Sequence, residues 1–184
     1  MSRVGKQPVS VPENVKVTVQ GQTILVEGPK GQMSLTVRPE LEVVFEPQKR
    51  QIVVTRKGNE TRQAKALHGL HRSLIANMVE GITHQFLKRL TITGSGYGAR
   101  VETGALVLDV GFCHPVKAPI PTGLFVTTPT PRLIEIRGAD KQQVGQFAAG
   151  VRSIRPPEPY NAKGIKYEDE VIRRKAAKTF VSGG

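Results

Sequence analysis

Residues 51–75, QIVVTRKGNETRQAKALHGLHRSLI, and residues 131–155, PRLIEIRGADKQQVGQFAAGVRSIR, are two versions of one segment. Shifted by 80 positions, Gly58 falls on Gly138, Glu60 on Asp140 and Gln63 on Gln143. Arg72, Ser73 and Leu74 fall on Arg152, Ser153 and Ile154. Each copy runs from a β-branched strand through a glycine turn and a polar N-cap-like pair into a helix of about 12–18 residues. In the first copy Ala64, Leu67, Leu70, Leu74 and Met78 recur at helical spacing, and in the second Val144, Phe147, Ala148 and Val151 do so. A chain that repeats itself must fold as two similar modules. The two copies are too long and too few to be a solenoid.

Short alternating segments precede each helix. In the first copy they are Val15–Val19, Thr23–Glu27, Met33–Val37, Leu41–Phe45 and Ile52–Thr55. In the second they are Leu90–Thr93, Arg100–Glu102, Ala105–Val110, Leu124–Thr127 and Leu133–Ile136. Strand runs closed by one helix, written twice, predict an α+β fold of two duplicated domains. Each is expected to be a small antiparallel sheet with one packed helix. The expected division is 1–82 for the first repeat and 83–184 for the second with a C-terminal extension, the boundary falling near Thr83–Lys88.

Charge narrows the partner. The chain has 27 Lys and Arg against 15 Asp and Glu, a net of +12. Both halves share it: residues 1–90 carry 14 basic and 7 acidic side chains (+7), and residues 91–184 carry 13 and 8 (+5). Such an excess suits a polyanion, so nucleic acid is the expected partner. The single cysteine, Cys113, permits no internal disulfide and fits a reducing compartment. The first 15 residues lack the apolar core of a secretory signal, and no apolar run approaches the ~18–20 residues needed to span a bilayer. A cytoplasmic location follows as an expectation, with no membrane partner.

Enzymatic readings find little to build on. Gly94–Ala99, GSGYGA, matches a dinucleotide fingerprint, but that motif needs a helix directly after it, and ARVETGALVLDVG alternates as strand-turn-strand. A glycine-rich hairpin is expected there. A nucleotide-dependent nucleic-acid-modifying enzyme using this loop stands as the alternative function. His68 and His71 lie three apart on a helix, too few for a zinc site, and are expected on its polar face. Cys113 reads as a small buried hydrophobe. Glu168, Asp169 and Glu170 precede VIRRKAAK, so acids open and bases close an expected short helix, which complements the macrodipole without Mg²⁺. No cofactor and no small-molecule substrate are expected.

The remaining basic element is Arg155–Lys178, RPPEPYNAKGIKYEDEVIRRKAAK. Eight basic residues lie between Arg152 and Lys178, among prolines, glycines and Tyr160 and Tyr167. Cations would contact phosphate, and tyrosines would stack on bases or bond to ribose. Lys16, Lys30, Lys49 and Lys117 read instead as ordinary solvated surface. At Arg152–Ile154 the copies part: the first continues as helix, IANMVEGITHQF, and the second breaks into RPPEPYNAKGIKY.

PEPYNAKGIKYEDEVIRRKAAK closely resembles the C-terminal signature of the bacterial large-subunit ribosomal protein six family. SRVGKQPVSVP, GPKGQMSLTV, RSLIANMVEGIT and GSGYGAR also look like that family, and the likeness covers essentially the whole chain. Asn161-Ala162 replaces a more basic pair common there, and Gly98-Ala99-Arg100 displaces an arginine that often follows the tyrosine. The resemblance implies a structural, non-catalytic constituent of the large ribosomal subunit. It would bind 23S-type rRNA near the stalk base and the sarcin–ricin region, beside neighbouring ribosomal proteins. Carried onto this chain, the implied rRNA-binding residues are Arg152, Arg155, Tyr160, Lys163, Gly164, Lys166, Arg173, Arg174 and Lys175.

Overall fold

The computed structural model describes residues 3–58 and 61–176. The chain divides into two compact units, one running through Phe86 together with Ala139–Lys141, the other comprising Leu87–Gly138 and the residues from Gln142 onward.

In the first unit, β1 (Val9–Ser10), β2 (Lys16–Gln20), β3 (Thr23–Gly28), β4 (Gly31–Thr36), β5 (Leu41–Glu46) and β6 (Gln51–Arg56) precede α1 (Arg62–His84). They form two antiparallel three-stranded sheets, β2-β3-β4 and β1-β6-β5. Alternation sets the facing: Ile24 and Val26 of β3, and Ile52 and Val54 of β6, point into the core. α1 supplies Ile75, Met78, Val79 and Ile82 to the same core. Burying each such side chain stabilises by roughly 1.5–3 kcal/mol relative to exposure. Thr61 caps the helix by accepting a hydrogen bond from the Ala64 N–H at 3.1 Å.

The second unit repeats this order. β7 (Phe86–Thr93), β8 (Gly98–Glu102), β9 (Ala105–Asp109), β10 (Val116–Pro119), β11 (Leu124–Thr130) and β12 (Leu133–Gly138) precede α2 (Lys141–Ile154), and β13 (Gly164–Tyr167) follows it. Its sheets are β10-β9-β8 and β11-β12-β7-β13. The order β5-β6-β1 of the first unit thus recurs as β11-β12-β7, and β13 is an addition on the outer edge of β7. Gly138 lets α2 approach β12, since a Cβ there would lie 2.9 Å from Val144 and 2.6 Å from Leu124. The fold is α+β with the duplication expected from the sequence, although each unit holds two sheets where one was expected.

All ten expected strands are present, with ends shifted by a few residues. β1, β10 and β13 were not foreseen. α1 is longer than expected, at 23 residues. Its buried stripe also differs: Ala64, His68, His71, Ile75, Met78 and Ile82 face inward, while Leu70 is 51% exposed. The expected polar-face histidines are therefore core residues. One nitrogen of each ring is hydrogen-bonded: His68 Nε2 donates to the Val54 carbonyl at 2.9 Å and His71 Nδ1 to the Leu67 carbonyl at 3.0 Å, while the buried His68 Nδ1 has no partner among the described residues. These two bonds offset part of the cost of burying the imidazoles, and the helix turns its stripe by one residue. Arg72 spends its guanidinium on the carbonyls of Gln7 and Pro8, at 3.1 and 3.3 Å.

Candidate nucleic-acid interface

The basic segment after α2 is held by four attachments. First, β13 pairs antiparallel with β7, from Gly164 opposite Thr93 to Tyr167 opposite Leu90. Second, the Ile165 N–H donates to the Arg155 carbonyl at 2.8 Å, folding the chain back on the end of α2. Third, residues 158–163 close on themselves, with Ala162 N–H bonding to the Glu158 carbonyl and Glu158 N–H to that of Lys163, each at 3.1 Å. Fourth, the Lys175 N–H donates to the Pro159 carbonyl at 2.8 Å. The last bond brings Arg173, Arg174 and Lys175 beside the turn that carries Tyr160 and Lys163.

The short helix expected after Glu170 does not form: Val171–Ala176 has no regular secondary structure, and Val171 is 94% exposed. Its acids are engaged elsewhere. Arg152 clasps Glu170 with two nitrogens, Nε at 2.8 Å from Oε2, and the Glu170 carboxylate also accepts the Tyr167 N–H at 3.1 Å. Glu168 meets Arg89 at 3.5 Å. With its first-turn carboxylates committed, the segment lacks the N-terminal stabilisation a short helix would need. Lys178 lies outside the described residues.

These contacts shift ionisation. The Arg152 hydrogen bonds hold the Glu170 carboxyl below the ordinary carboxylate range, aided by the Tyr167 N–H, and Glu170 in turn raises Arg152. Glu135 on β12 is lowered similarly, chiefly by Arg137 and also by Arg89, at 2.7 and 2.9 Å. Glu135 in return holds Arg89 above its usual value.

The nine residues singled out by the sequence thus separate into groups. Tyr160, Lys163, Arg173, Arg174 and Lys175 are exposed, Tyr160 at 55%, on the two segments that the Lys175–Pro159 bond joins. Among the described residues the four cations have no carboxylate partner. Lys166 lies half-buried on β13 with Nζ 3.4 Å from the Glu170 carbonyl. Arg155 lays its guanidinium over the Phe112 ring, 5.3 Å from the centroid. Arg152 is engaged within the protein. Gly164 is buried at φ +142, and a Cβ on it would lie 2.7 Å from the Pro156 carbonyl oxygen. Tyr167 is half-buried, with Lys88 and Arg152 over its ring at 5.7 and 6.0 Å.

Sequence reading missed two residues that organise this surface. Glu170 was read as a helix-dipole partner, and only its distance from Arg152 reveals the clasp. Phe112, beside Cys113 in the sequence, carries no local signal that would mark it as the partner of Arg155. Cys113 itself is exposed, contrary to expectation, because Gly111–Pro115 bulges between β9 and β10 and supplies no core position. Nor is Gly94–Tyr97 a hairpin: it carries the chain from β7 in one sheet to β8 in the other. Gly98 opens a strand, so no helix N-terminus stands after the glycines to meet a pyrophosphate. No group of three or more His, Cys, Asp or Glu among the described residues could hold a metal ion. No described helix is long and apolar enough to cross a membrane.

A fold written twice, with a cation-rich strap attached to the second copy, defines a duplicated α+β protein. Comparison with known proteins makes that class specific. The family model described as Ribosomal protein L6 matches residues 11–85 and, a second time, residues 93–168. A large ribosomal subunit protein uL6 of Dictyoglomus thermophilum is 53% identical over 179 residues, covering 97% of this chain and 98% of the relative. Proteins with the same description from Carboxydothermus hydrogenoformans and a Synechococcus strain are 47% and 44% identical, each covering 97% of both chains. The chain belongs to the ribosomal protein L6 family.

Proposed function

We propose that this chain is a structural, non-catalytic constituent of the large ribosomal subunit, working in the cytoplasm within the ribosome. It binds 23S-type rRNA near the stalk base and the sarcin–ricin region, next to other ribosomal proteins. The two copies, taken as 1–82 and 83–184, act as framework, and the second carries the main grip. One observation supports this most: the Lys175–Pro159 bond ties the segment carrying exposed Arg173, Arg174 and Lys175 to the turn carrying exposed Tyr160 and Lys163.

The mechanism is electrostatic. Arg155, Lys163, Lys166, Arg173, Arg174 and Lys175 displace condensed counterions from phosphates, and Tyr160 packs on a base or ribose. Arg152 and Gly164 hold the strap in place for them. Binding of a large-subunit rRNA fragment, titrated across salt, tests the reading. Neutralising Arg173, Arg174 and Lys175 together should flatten the log–log slope by roughly 0.7–0.9 per lost contact. An unchanged slope removes the strap from the binding surface.

A further inference from the structure

The loop between β9 and β10, Gly111–Pro115, reads GFCHP and is exposed throughout. It carries a large aromatic side chain outward, Phe112, at 47% exposure. The loop's base is fixed. Gly111 sits at φ +77, and a Cβ there would lie 2.6 Å from the Tyr97 hydroxyl, so the tyrosine packs close against the glycine backbone. The same ring lies against Gly94, whose Cβ would fall 2.6 Å from it. Arg155 is fixed independently, through its carbonyl bond from Ile165 and the close approach of Gly164. Two rooted backbones thus present a phenyl ring and a guanidinium plane to each other, 5.3 Å from Arg155 Cζ to the ring centroid.

We propose that Phe112, with Arg155 laid against it, is a stacking platform for one unpaired nucleobase. The proposal rests on RNA being the partner and adds to it a contact of a different physical kind. A phenyl ring offers no hydrogen bond and no charge, so it can hold RNA only through the face of a base that has left its helix. An arginine plane stacks on aromatic systems as well as attracting phosphate. The loop carries no carboxylate to repel the backbone, and His114 stands exposed in it. An apolar protein partner would instead be served by a broad patch, whereas Phe112 stands among glycine, cysteine, histidine and proline.

The test uses the full chain and a large-subunit rRNA fragment. Phe112→Leu keeps an apolar side chain and removes the aromatic face. It should weaken binding by about 5- to 150-fold, the equivalent of about 1–3 kcal/mol per stacked base. The salt slope should stay unchanged, and Phe112→Trp should retain affinity. The thermal midpoint of Phe112→Leu should match wild type, because the ring is not part of the core. Wild-type affinity in Phe112→Leu overturns the platform, and would point to a protein partner for the loop. A flattened salt slope overturns it too, since stacking releases no counterions. The lone cysteine gives a second readout: a hydroxyl-radical source tethered at Cys113 should cut RNA around an unpaired nucleotide. Cuts confined to continuous duplex refute the platform. A wild-type chain that binds no rRNA at all would sink the functional reading as well, a result distinct from these.

Discussion

Replacing Gly164 with alanine should unseat β13 without unfolding the rest of its unit. Gly164 has φ +142, a conformation that costs an L-residue about 1–3 kcal/mol. The new Cβ would also stand 2.7 Å from the Pro156 carbonyl oxygen and 2.8 Å from that of Arg155. Neither atom is the tip of a flexible side chain, so the strand must back away. In doing so it weakens the Ile165 N–H bond to the Arg155 carbonyl, worth about 0.5–1.5 kcal/mol net. Together the local cost is about 2–4 kcal/mol, which multiplies the opening equilibrium of β13 by about 30 to 1000. Amide hydrogen exchange reads this directly, at Ile165 and at Glu168, which bonds to the Arg89 carbonyl. Gly96→Ala is the control: at φ +74 with open space around it, it carries strain but no collision. If Ile165 and Glu168 exchange at wild-type rates in Gly164→Ala, the argument from close approach is wrong.

Gly145 and Gly150 lie in α2 with nothing near their missing side chains, so alanine at either should stabilise by about 0.5–1 kcal/mol, seen as a raised melting midpoint. Glu170→Gln should cost about 1–2 kcal/mol at pH 7, where the charge-assisted clasp to Arg152 is intact. Because folding lowers the Glu170 pKa, that contribution is complete above the unfolded carboxylate value of about 4.3 and is lost as pH falls through the folded one. The stability gap between the two proteins in urea unfolding should therefore shrink as pH falls below about 4.3, and a gap that does not change with pH argues against the clasp. His68→Ala removes the donor to the buried Val54 carbonyl and opens a void, costing about 2–4 kcal/mol. Faster exchange in β6 would report it, with β12 unaffected.

The duplication and the ten expected strands were legible because alternation and repeated glycine turns are local signals. α1 was legible as a helix but not in its facing: leucines at 67, 70 and 74 outweighed histidines whose acceptors, Val54 and Leu67, no periodicity reveals. β13 was hidden because GIKY is too short to signal a strand, and its partner β7 lies far back in the sequence. The misplaced helix after Glu170 has the same origin. Local charge order favoured it, and an arginine 18 residues upstream had already taken the acid. The density of the basic strap was visible at once. Its division into exposed cations and the engaged Arg152, Arg155 and Lys166 required the fold.

The β7–β13 pairing has a consequence for how the protein is made. These strands bracket their unit, with about 70 residues between them, and at a synthesis rate of 5–20 residues per second they emerge about 4–14 s apart. During that interval the outer edge of β7 has no neighbour, and a bare edge is a template for pairing with other chains. The first unit waits less, since its most widely separated strand pairing, β1 with β6, spans about 40 residues. Newly made second units are therefore the aggregation-prone half during translation, and slow codons between β12 and β13 would lengthen their exposure.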